Sequence, residues 1–447
     1  MDSNRVNDDR SEEKNGRSGK NRFWTGVLAG ALVTALAGLV VVGMSAGIYL
    51  FAQGMMSRQP AQSQDQEARP AQGENAIDYG KLTSKMQLIE RIIDQYFLYD
   101  KDAEAVEDYA YLGMMAGLGD PYSTYYNDGE FQSMQDSTSG TYYGIGAMIS
   151  QNRSTGLCTV VRVYEDTPAM EAGMLPGDVI YQVGDVLVAG QSLDVLVNNY
   201  IKGEEGTPVE ITVYRADQDA YVDLTVTRKK IEVPTVESRM EEDGVGYVLI
   251  TEFDGVTVSQ FEEALKQLEA QGMERLILDL RSNPGGLLDG AVSMADYILP
   301  DDRDDYEKGG GKTLIVYTAD KNGQGDVYAA SDGHQLDLPI VVLVNGQSAS
   351  AAEVFTGALK DYGAAEVVGT ATYGKGIVQN VIPLGDGSAV KITTAHYYTP
   401  SGFDLHGKGI EPDVEVDLEE ELKTQAVVAP EEDNQLRRAL EIVKEME

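Results

Sequence analysis

The sequence has one cysteine, three histidines and one tryptophan among its 447 residues. A single cysteine, Cys158, excludes a disulfide within the chain and offers no spacing for a metal cluster. Cys158 lies in the strand-like run Leu-Cys-Thr-Val-Val, so we interpret it as a small buried hydrophobic residue. No metal or cofactor is expected.

Positive charge is scarce, and the formal net charge is -38. Residues 1–22 hold six Lys/Arg and five Asp/Glu, which leaves 29 basic and 68 acidic residues, a net of -39, in the rest of the chain. This balance argues against nucleic-acid binding and for a soluble, self-repelling surface.

Charge is absent from residues 23–51, a run of 29 residues with the sequence FWTGVLAGALVTALAGLVVVGMSAGIYLF. A helix needs about 20 apolar residues to cross a bilayer, whereas the apolar part of a signal peptide has about 7–15. We therefore predict a single-pass membrane anchor. Lys20 and Arg22 precede it, which predicts a cytoplasmic tail at 1–22 and an exported remainder. Cleavage of this segment after export is the alternative.

The regions outside the two largest segments are short. Residues 52–77 are rich in Gln, Ala, Pro and Gly without periodicity, which predicts a flexible linker. Apolar spacing predicts helices from Leu82 to Leu98 and from Ala103 to Gly117, in an N-terminal helical module at 78–128. An acidic linker and a charged helix are predicted at 426–447, and the terminal helices are candidates for a dimer contact.

The two large segments, 140–229 and 230–425, differ in the spacing of their apolar residues. Short strand-like runs alternate with turns across 140–229, with plausible helices at Thr167–Gly173 and Ser192–Tyr200. From 230 to 425, apolar strands alternate with helices, which indicates an α/β layer structure.

The run Val341–Phe355 passes from a buried strand through small residues into a helix. A serine at the first turn of a helix lies near free backbone N–H groups and the positive end of the helix dipole, as a nucleophile of acyl transfer would require. Ser348 and Ser350 are both candidates. An N-cap serine in a tightly packed helix start explains the same pattern.

A nucleophilic serine needs a base. None of His334, His396 and His406 has a flanking pattern that marks a catalytic triad. Lys375 lies between two glycines and before an apolar strand, and desolvation would lower its pKa toward neutrality. Gln379, four residues later, could fix its amine; an exposed turn is the ordinary alternative for Gly-Lys-Gly.

A third motif is the apolar strand that ends in Asn-Pro-Gly-Gly at 283–286. It places free backbone N–H groups at the carboxyl end of a strand, where α/β sheets bind ligands. A plain turn is the alternative explanation.

The order of these motifs, LDLRSNPGG, NGQSASAAE, YGKGIVQ, TTAHYYTPSG and KGIEPD, resembles the C-terminal processing peptidases (tail-specific proteases) over about residues 80–425. The resemblance implies an α/β core built as a crotonase/ClpP-like spiral of strands and helices. It also implies Ser350 as nucleophile, Lys375 as general base and Gln379 as the residue that orients the lysine.

The same resemblance concerns the residues around the serine. It implies that backbone N–H groups of Gly285 or Gly286, together with Ala351, form the oxyanion hole. Glu353 lies one helical turn beyond Ser350, and either joins the polar network of the site or has a structural role. The family often has Arg at the position of His396.

The segment 140–229 resembles a PDZ domain, through Tyr143-Gly-Ile-Gly and Thr167-Pro-Ala-Met-Glu-Ala-Gly-Met-Leu-Pro-Gly-Asp-Val-Ile180. The resemblance implies capture of a substrate's C-terminal tail, by β-strand addition with the carboxylate on consecutive N–H groups. The residues implied are Tyr143, Gly144, Ile145, Gly146, Met148 and Ile149. An ordinary β-turn would use the same glycines.

Together these features predict a membrane-anchored serine endopeptidase that cuts exported proteins near apolar C-termini. Its expected partners are protein or peptide substrates and the membrane, with a homodimer and an activating partner as further possibilities. A catalytically idle, membrane-tethered PDZ scaffold and a crotonase-like acyl-CoA enzyme are the alternatives.

Overall fold

The computed structural model describes residues 76–446 except Thr424, Ala426 and Val427. The predicted tail, the predicted membrane anchor at 23–51 and nearly all of the linker lie outside the described residues. None of the helices within the described ranges combines the length and apolar character that a bilayer crossing requires.

Two helices begin the described chain, α1 (Tyr79–Tyr96) and α2 (Ala103–Ala116), each capped at its N-terminus by an aspartate. Neither helix buries a residue, and the apolar side of α1 is exposed. Asp108 of α2 accepts hydrogen bonds from Tyr125 and Asn127, which join this helix to the following strand. That strand is β1 (Thr124–Tyr126), and α3 (Asp128–Ser139) follows it.

The core contains a six-stranded sheet in which neighbouring strands are parallel except for one edge pair. In spatial order its strands are β10 (Val236–Met240), β11 (Val245–Ile250), β12 (Arg275–Asp279), β15 (Ile340–Val344), β16 (Glu366–Gly369) and β19 (Val414–Glu415). The central strands are continuous apolar runs because both faces of the sheet are buried.

Helices cover the two faces of this sheet. The main hydrophobic core lies on one face, beneath α6 (Thr257–Ala270), α7 (Leu288–Ile298) and α8 (Ala351–Asp361). On the other face, the apolar side of α9 (Asn434–Glu445) packs through Leu436, Ala439, Ile442 and Val443. That side of α9 is therefore covered by its own chain.

A second, antiparallel sheet closes the core. Its strand order is β1, β18 (Ala389–Tyr398), β13 (Leu314–Asp320) and β14 (Val327–Ala329), and β17 (Ile377–Pro383) pairs with β18. The pairing of β1 with β18 joins the start of the described chain to its last quarter.

A β-rich unit is inserted between two short strands, β2 (Thr141–Gly144) and β9 (Lys229–Glu232), which pair with each other. Its sheet has the order β3-β4-β5-β7-β8, with β6 beside β5, around a separate hydrophobic core. The elements of the unit are β3 (Ala147–Gln151), β4 (Cys158–Val163), α4 (Pro168–Glu171), β5 (Val179–Val183), β6 (Val186–Leu187), α5 (Leu193–Leu196), β7 (Pro208–Arg215) and β8 (Ala220–Thr227).

The helix predicted at Ser192–Tyr200 consists of two parts, the short α-helix α5 and a π-helical stretch, Val197–Ile201, that follows it. Cys158 is buried in the core of the unit, as the sequence predicts.

Candidate active site

Three loops meet because they leave the carboxyl ends of neighbouring parallel strands. The Asn-Pro-Gly-Gly loop follows β12, the loop with the two serines follows β15, and the Gly-Lys-Gly loop follows β16. Since β12, β15 and β16 are adjacent in the sheet, the three motifs lie at one edge of it.

Ser350 is the N-cap residue of α8 and is fully buried. Its backbone has φ 55 and ψ -113, a combination that is rare and strained for a residue with a side chain. Such strain persists only where the surrounding structure imposes it, and it is concentrated at functional positions.

The hydroxyls of the two candidate serines differ in their hydrogen bonds. Ser348 Oγ donates to the Leu280 carbonyl at 2.7 Å and accepts from Asn345 N–H at 2.9 Å, so it joins two loops. Ser350 Oγ is buried and has no hydrogen-bond partner of normal geometry among the described residues, and the side chain that interacts with it is the buried phenol of Tyr397. Ser350 is therefore the serine whose hydroxyl remains available for a reaction.

Glu353 is fully buried and links the serine loop to the lysine loop. Its Oε2 accepts the backbone N–H groups of Ser350 and Lys375, each at 2.8 Å. Its Oε1 accepts from Thr372 Oγ1 at 2.5 Å and Gly374 N–H at 2.7 Å. Burial raises the pKa of this carboxyl, and the four hydrogen bonds oppose the shift.

Lys375 is 5% exposed, which departs from the exposed turn that Gly-Lys-Gly usually forms. Both glycines lie against the segment 405–409: a Cβ at Gly374 would be 2.9 Å from Gly409 N, and one at Gly376 would be 2.5 Å from His406 N. Burial lowers the pKa of Lys375 to about 8, against the charges of Glu353 and Asp120. The amine is thus neutral over a far wider pH range than an exposed lysine.

Gln379 lies on β17 and is 1% exposed. Its Nε2 donates to the Tyr122 carbonyl at 2.7 Å, and its Oε1 has no hydrogen-bond partner among the described residues. The Tyr122 ring covers the lysine, with Lys375 Nζ 5.0 Å from its centroid. The residues before β1 therefore form a cover over the base candidate.

The Asn-Pro-Gly-Gly loop lies against the serine. A Cβ at Gly285 would be 2.9 Å from Ser350 Cβ and 2.7 Å from Ala349 O, so the loop can approach this closely only with glycine. The Gly285 N–H donates to Asn283 Oδ1 at 2.7 Å. Because the Gly285 N–H already has this partner, it cannot also bind an oxyanion. The N–H groups of Gly286 and Ala351 are the remaining candidates for the oxyanion hole.

The histidines have other contacts. His334 stacks on the Tyr297 ring, with centroids 3.8 Å apart. The His396 and His406 rings are 5.0 Å apart, and His396 Nδ1 lies 3.5 Å from an Asp404 carboxylate oxygen. Within the described part of the chain, no hydrogen bond joins a histidine to Ser350 Oγ.

The residues expected to bind a substrate tail lie on β2, on β3 and in the turn between them, at the start of the inserted unit. Tyr143 and Met148 are about half exposed and Ile149 is partly buried, whereas Ile145 belongs to the core of the unit. Gly146 has φ 83, and a side chain there would collide with Thr167. The role of these residues in binding a substrate tail stays a prediction.

One carboxylate cluster has the spacing of a metal site. Ligand atoms of Asp296, Asp301 and Asp332 lie within 4.8 Å of one another in the described ranges. Asp296 and Asp301 accept backbone N–H groups of Ser331 and Gly333, so the loop's own hydrogen bonds account for them.

Three features of this site are not evident from the sequence motifs. Asn283 holds the Gly285 N–H, Tyr122 covers the lysine, and Lys391 is a second buried lysine. The only sequence signal for Tyr122 is the Asp-Pro-Tyr turn at 120–122, and Lys391 has the alternating pattern of an ordinary strand.

A buried serine with a strained backbone lies at a helix start, and its backbone N–H shares one carboxylate oxygen with the backbone N–H of a buried lysine, an arrangement compatible with a serine hydrolase. Comparison with known proteins gives the class. Residues 244–416 match the family "Peptidase family S41", and residues 159–215 match "PDZ domain". The chain is 38% identical over 346 residues to the "Carboxy-terminal-processing protease" of Bartonella bacilliformis (strain ATCC 35685 / KC583 / Herrer 020/F12,63), over 76% of each chain.

A second curated relative is the "Probable CtpA-like serine protease" of Staphylococcus aureus (strain COL), 35% identical over 347 residues, 77% of this chain and 66% of that protein. Among solved structures, a "photosystem II D1 C-terminal processing protease" has 30% identity and a TM-score of 0.44, covering 76% of this chain and 87% of that chain. The chain belongs to peptidase family S41, in the group of the C-terminal processing peptidases, and is a serine-type peptidase with an α/β core and a PDZ domain.

Proposed function

We propose that this protein is a membrane-anchored serine endopeptidase that cuts exported proteins near their C-termini. The observation that carries the proposal is the contrast at Ser350: its hydroxyl is buried without a hydrogen-bond partner of normal geometry among the described residues, and its N–H shares one carboxylate oxygen with the N–H of the buried Lys375. The names and shared sequence of the relatives support C-terminal processing as the reaction.

In this proposal, Ser350 Oγ attacks the scissile carbonyl carbon while its proton passes to the neutral amine of Lys375. The oxyanion accepts hydrogen bonds from the N–H groups of Gly286 and Ala351. Lys375 then gives the proton to the leaving amine, and an acyl-enzyme remains. A water molecule loses a proton to Lys375 and attacks the ester carbonyl. Lys375 passes that proton to Ser350 Oγ as the ester bond breaks, which releases the new C-terminus and restores the hydroxyl and the neutral amine.

Gln379 orients the base in this scheme. Its amide is fixed by the Tyr122 carbonyl, so the free Oε1 is held in place as an acceptor for an N–H of the lysine. The amine lone pair can then point toward the serine.

The PDZ domain is proposed to take the substrate tail on β3 and the turn before it, at Tyr143–Gly146, Met148 and Ile149. The mode is strand addition, with an apolar last side chain in a pocket. Anchoring by residues 23–51, with the catalytic part outside the cytoplasm, rests on the uncharged length of that segment. Self-association through the exposed side of α1, and an activating partner, belong to the same proposal.

The test uses the purified full-length protein and an unfolded substrate that ends in an apolar tail. Cleavage by the wild type but by neither Ser350→Ala nor Lys375→Ala, with slower cleavage of the amidated substrate, supports both catalytic and tail-binding roles. Lys266→Met, an exposed lysine of α6, is the matched control. Wild-type cleavage by Lys375→Ala overturns the Ser/Lys assignment, and tail binding without any cleavage favours the idle scaffold.

A further inference from the structure

Asn283 is a polar residue with no exposed surface, and the proposed reaction gives its side chain no step. A buried amide needs a hydrogen-bond partner at each end, because a buried group left without one costs its full desolvation free energy. The partners of Asn283 therefore show which parts of the site this residue holds together.

Both ends of the Asn283 amide are bonded. Its Nδ2 donates to the Ile250 carbonyl at 2.8 Å, at the end of β11, and its Oδ1 accepts the Gly285 N–H at 2.7 Å. The first partner can only accept and the second can only donate, so the two bonds fix the orientation of the amide. Aspartate has the same size but has no donor when it is ionised, so it cannot make both bonds.

The backbone of Asn283 contacts the loop that bears the nucleophile. Its carbonyl accepts the N–H of Ala349, the residue before Ser350, at 2.9 Å. Its N–H donates to the Leu280 carbonyl at 3.2 Å, which closes the turn after β12. One residue thus joins the end of β11, the Asn-Pro-Gly-Gly loop and the serine loop.

Gly285 is held on its carbonyl side as well. The Gly285 carbonyl accepts the Phe253 N–H at 2.8 Å, and the Leu287 N–H donates to the Phe253 carbonyl at 2.6 Å, which forms the parallel bridge between Phe253 and Gly286. The N–H and C=O of a trans peptide point in opposite directions. The Gly286 N–H shares its trans peptide with the Gly285 carbonyl, and it therefore points away from Phe253 N.

These bonds decide which N–H group of the loop is free. The Gly285 N–H is held by Asn283, whereas the Gly286 N–H makes no hydrogen bond among the described residues. The loop lies against the start of α8, where a Cβ at Gly285 would be 2.9 Å from both Ser350 Cβ and Ala351 N. The free N–H group is therefore one residue away from the point at which the loop contacts the proposed nucleophile.

A peptide between two glycines does not keep one orientation by itself. Gly285 and Gly286 have φ 102 and φ 145, a region of backbone conformation that side chains rarely allow. Glycine loses more conformational freedom on folding than any other residue, so other groups must hold it in place. Here the Asn283 amide holds one side of Gly285 and the Phe253 N–H holds the other.

We propose that Asn283 is a positioning residue of the oxyanion hole: by holding the Gly285 N–H, its amide fixes the next peptide so that the Gly286 N–H faces the oxyanion. The inference rests on the proposed acyl transfer at Ser350. Asn283 does not touch the substrate in this role. It acts through the orientation of one backbone donor, and its carbonyl fixes Ala349 beside that donor.

The size of the expected effect follows from how an oxyanion hole works. Its donors stabilise the transition state because they are aimed before the negative charge develops. Loss of a whole donor lowers kcat roughly 100- to 1000-fold, and a donor that is only free to turn away should cost less. The bound substrate gains little from this donor before the reaction, so KM should change little.

The experiment uses the full-length protein and measures two rates: steady-state cleavage of one peptide, and inactivation by a small alkyl fluorophosphonate. In the inactivation, Ser350 Oγ bonds to phosphorus, its proton passes to Lys375 and fluoride leaves, so a phosphoryl oxygen takes the place of the oxyanion. Asn283→Ala should lower kcat and the inactivation rate constant roughly 10- to 100-fold, with KM within about twofold of wild type. The inactivation rate constant is a property of each folded molecule, so a smaller folded fraction does not lower it.

A second substitution isolates the bond to Gly285. Asn283→Ser is almost as small as Asn283→Ala and also loses the bond to Ile250, but a serine hydroxyl can accept the N–H two residues later. Asn283→Ser should therefore recover much of the lost rate, whereas a role in packing alone would leave the two variants equal. Asn152→Ala is the matched control, because Asn152 Oδ1 accepts the Ser154 N–H at 2.9 Å in the same kind of turn at an exposed position. It should leave the inactivation rate constant unchanged.

Each outcome decides the proposal. Slow reaction of Asn283→Ala with recovery in Asn283→Ser supports it, and equal rates for the two variants overturn it. If neither variant folds, a crystal structure of the wild-type adduct decides: the phosphoryl oxygen should lie about 3 Å from Gly286 N, and its contact with Gly285 N instead would overturn the inference. Labelling of Ser350→Ala at the wild-type rate would refute the proposed function itself, so the two failures are distinguishable.

Discussion

Ser350 and Lys375 donate their backbone N–H groups to the same atom, Oε2 of Glu353, each at 2.8 Å. One carboxylate oxygen thereby fixes the distance between the start of α8 and the loop before β17. The proposed nucleophile and base are held in register through the backbone, whatever their side chains do in the catalytic cycle.

Replacing that carboxylate by an amide should impair catalysis without weakening substrate binding. Glu353→Gln presents an N–H group to donors and leaves at least one of them unsatisfied, at about 1–3 kcal/mol of stability. A shift of the two loops should lower kcat roughly 100-fold with little change in KM. Steady-state kinetics measures kcat and KM separately. The control is Glu262→Gln, on the exposed side of α6. A raised KM with unchanged kcat would contradict this role.

The buried lysine should make the protein less stable at neutral pH than a neutral replacement would. The pKa of Lys375 is about 8 in the folded state against an ordinary 10.5. The unfolded state therefore binds more protons between these values, so the free energy of unfolding rises as pH rises from 8 to 10.5.

Lys375→Met removes this dependence. The variant should be more stable than wild type by about 3 kcal/mol at about pH 7, and the difference should vanish near roughly pH 10.5. Urea unfolding at several pH values measures it, with Lys266→Met for comparison. A constant difference at all pH values would indicate a packing effect instead.

The strained backbone at Ser350 predicts a difference in stability between two substitutions of this residue. Ser350→Ala keeps a Cβ at φ 55, whereas Ser350→Gly relieves it. Strain of this kind costs about 1–3 kcal/mol, and the greater freedom of glycine in the unfolded state offsets about 0.4–1 kcal/mol. We therefore expect the glycine variant to be the more stable by about 1 kcal/mol, measured by denaturant unfolding. Equal or lower stability of Ser350→Gly would show that no strain is released.

Arg281 should matter for stability through the docking of α9. It is 15% exposed in its side chain and lies between Asp279 and Asp433, with its Nη2 at 2.6 Å and 2.8 Å from their oxygens. Arg281→Met leaves two buried carboxylates without their cation, and should cost about 3 kcal/mol. Arg303→Met, which breaks the exposed pair with Asp305, should cost less than about 1 kcal/mol. Equal effects of the two substitutions would contradict the prediction.

The core strands and helices were predictable from the sequence because burial on both faces leaves a simple pattern. The apolar runs around Val248, Ile277 and Val342 are the strands β11, β12 and β15. The helix α6, Thr257–Ala270, lies between two of these strands, in agreement with the alternation of strands and helices predicted for 230–425. The meeting of the three motif loops follows from the parallel order of these strands.

The sequence could not choose between Ser348 and Ser350 on physical grounds, because both lie among small residues. The two serines differ in the structure because Ser348 Oγ donates a hydrogen bond to the carbonyl of Leu280, which lies in the loop after β12. Tyr122 was unpredictable for the same reason: its turn reads as a local feature, and its contacts with Lys375 and Gln379 arise only in the folded chain. Lys391 has the pattern of an exposed strand residue, and its contact with the Tyr126 ring arises only when β1 pairs with β18.

The cover over the site has a consequence for the order in which the protein is made. The bonds from Gln379 to Tyr122 and from Thr393 to Ser123 join residues 257 and 270 positions apart. Domains fold during synthesis from the N-terminus onward, so the residues around Tyr122 emerge from the ribosome long before the strands that they cover. A nascent chain interrupted before β17 therefore lacks the partners of both bonds, and the proposed catalytic site cannot be enclosed until β17 and β18 have been synthesised.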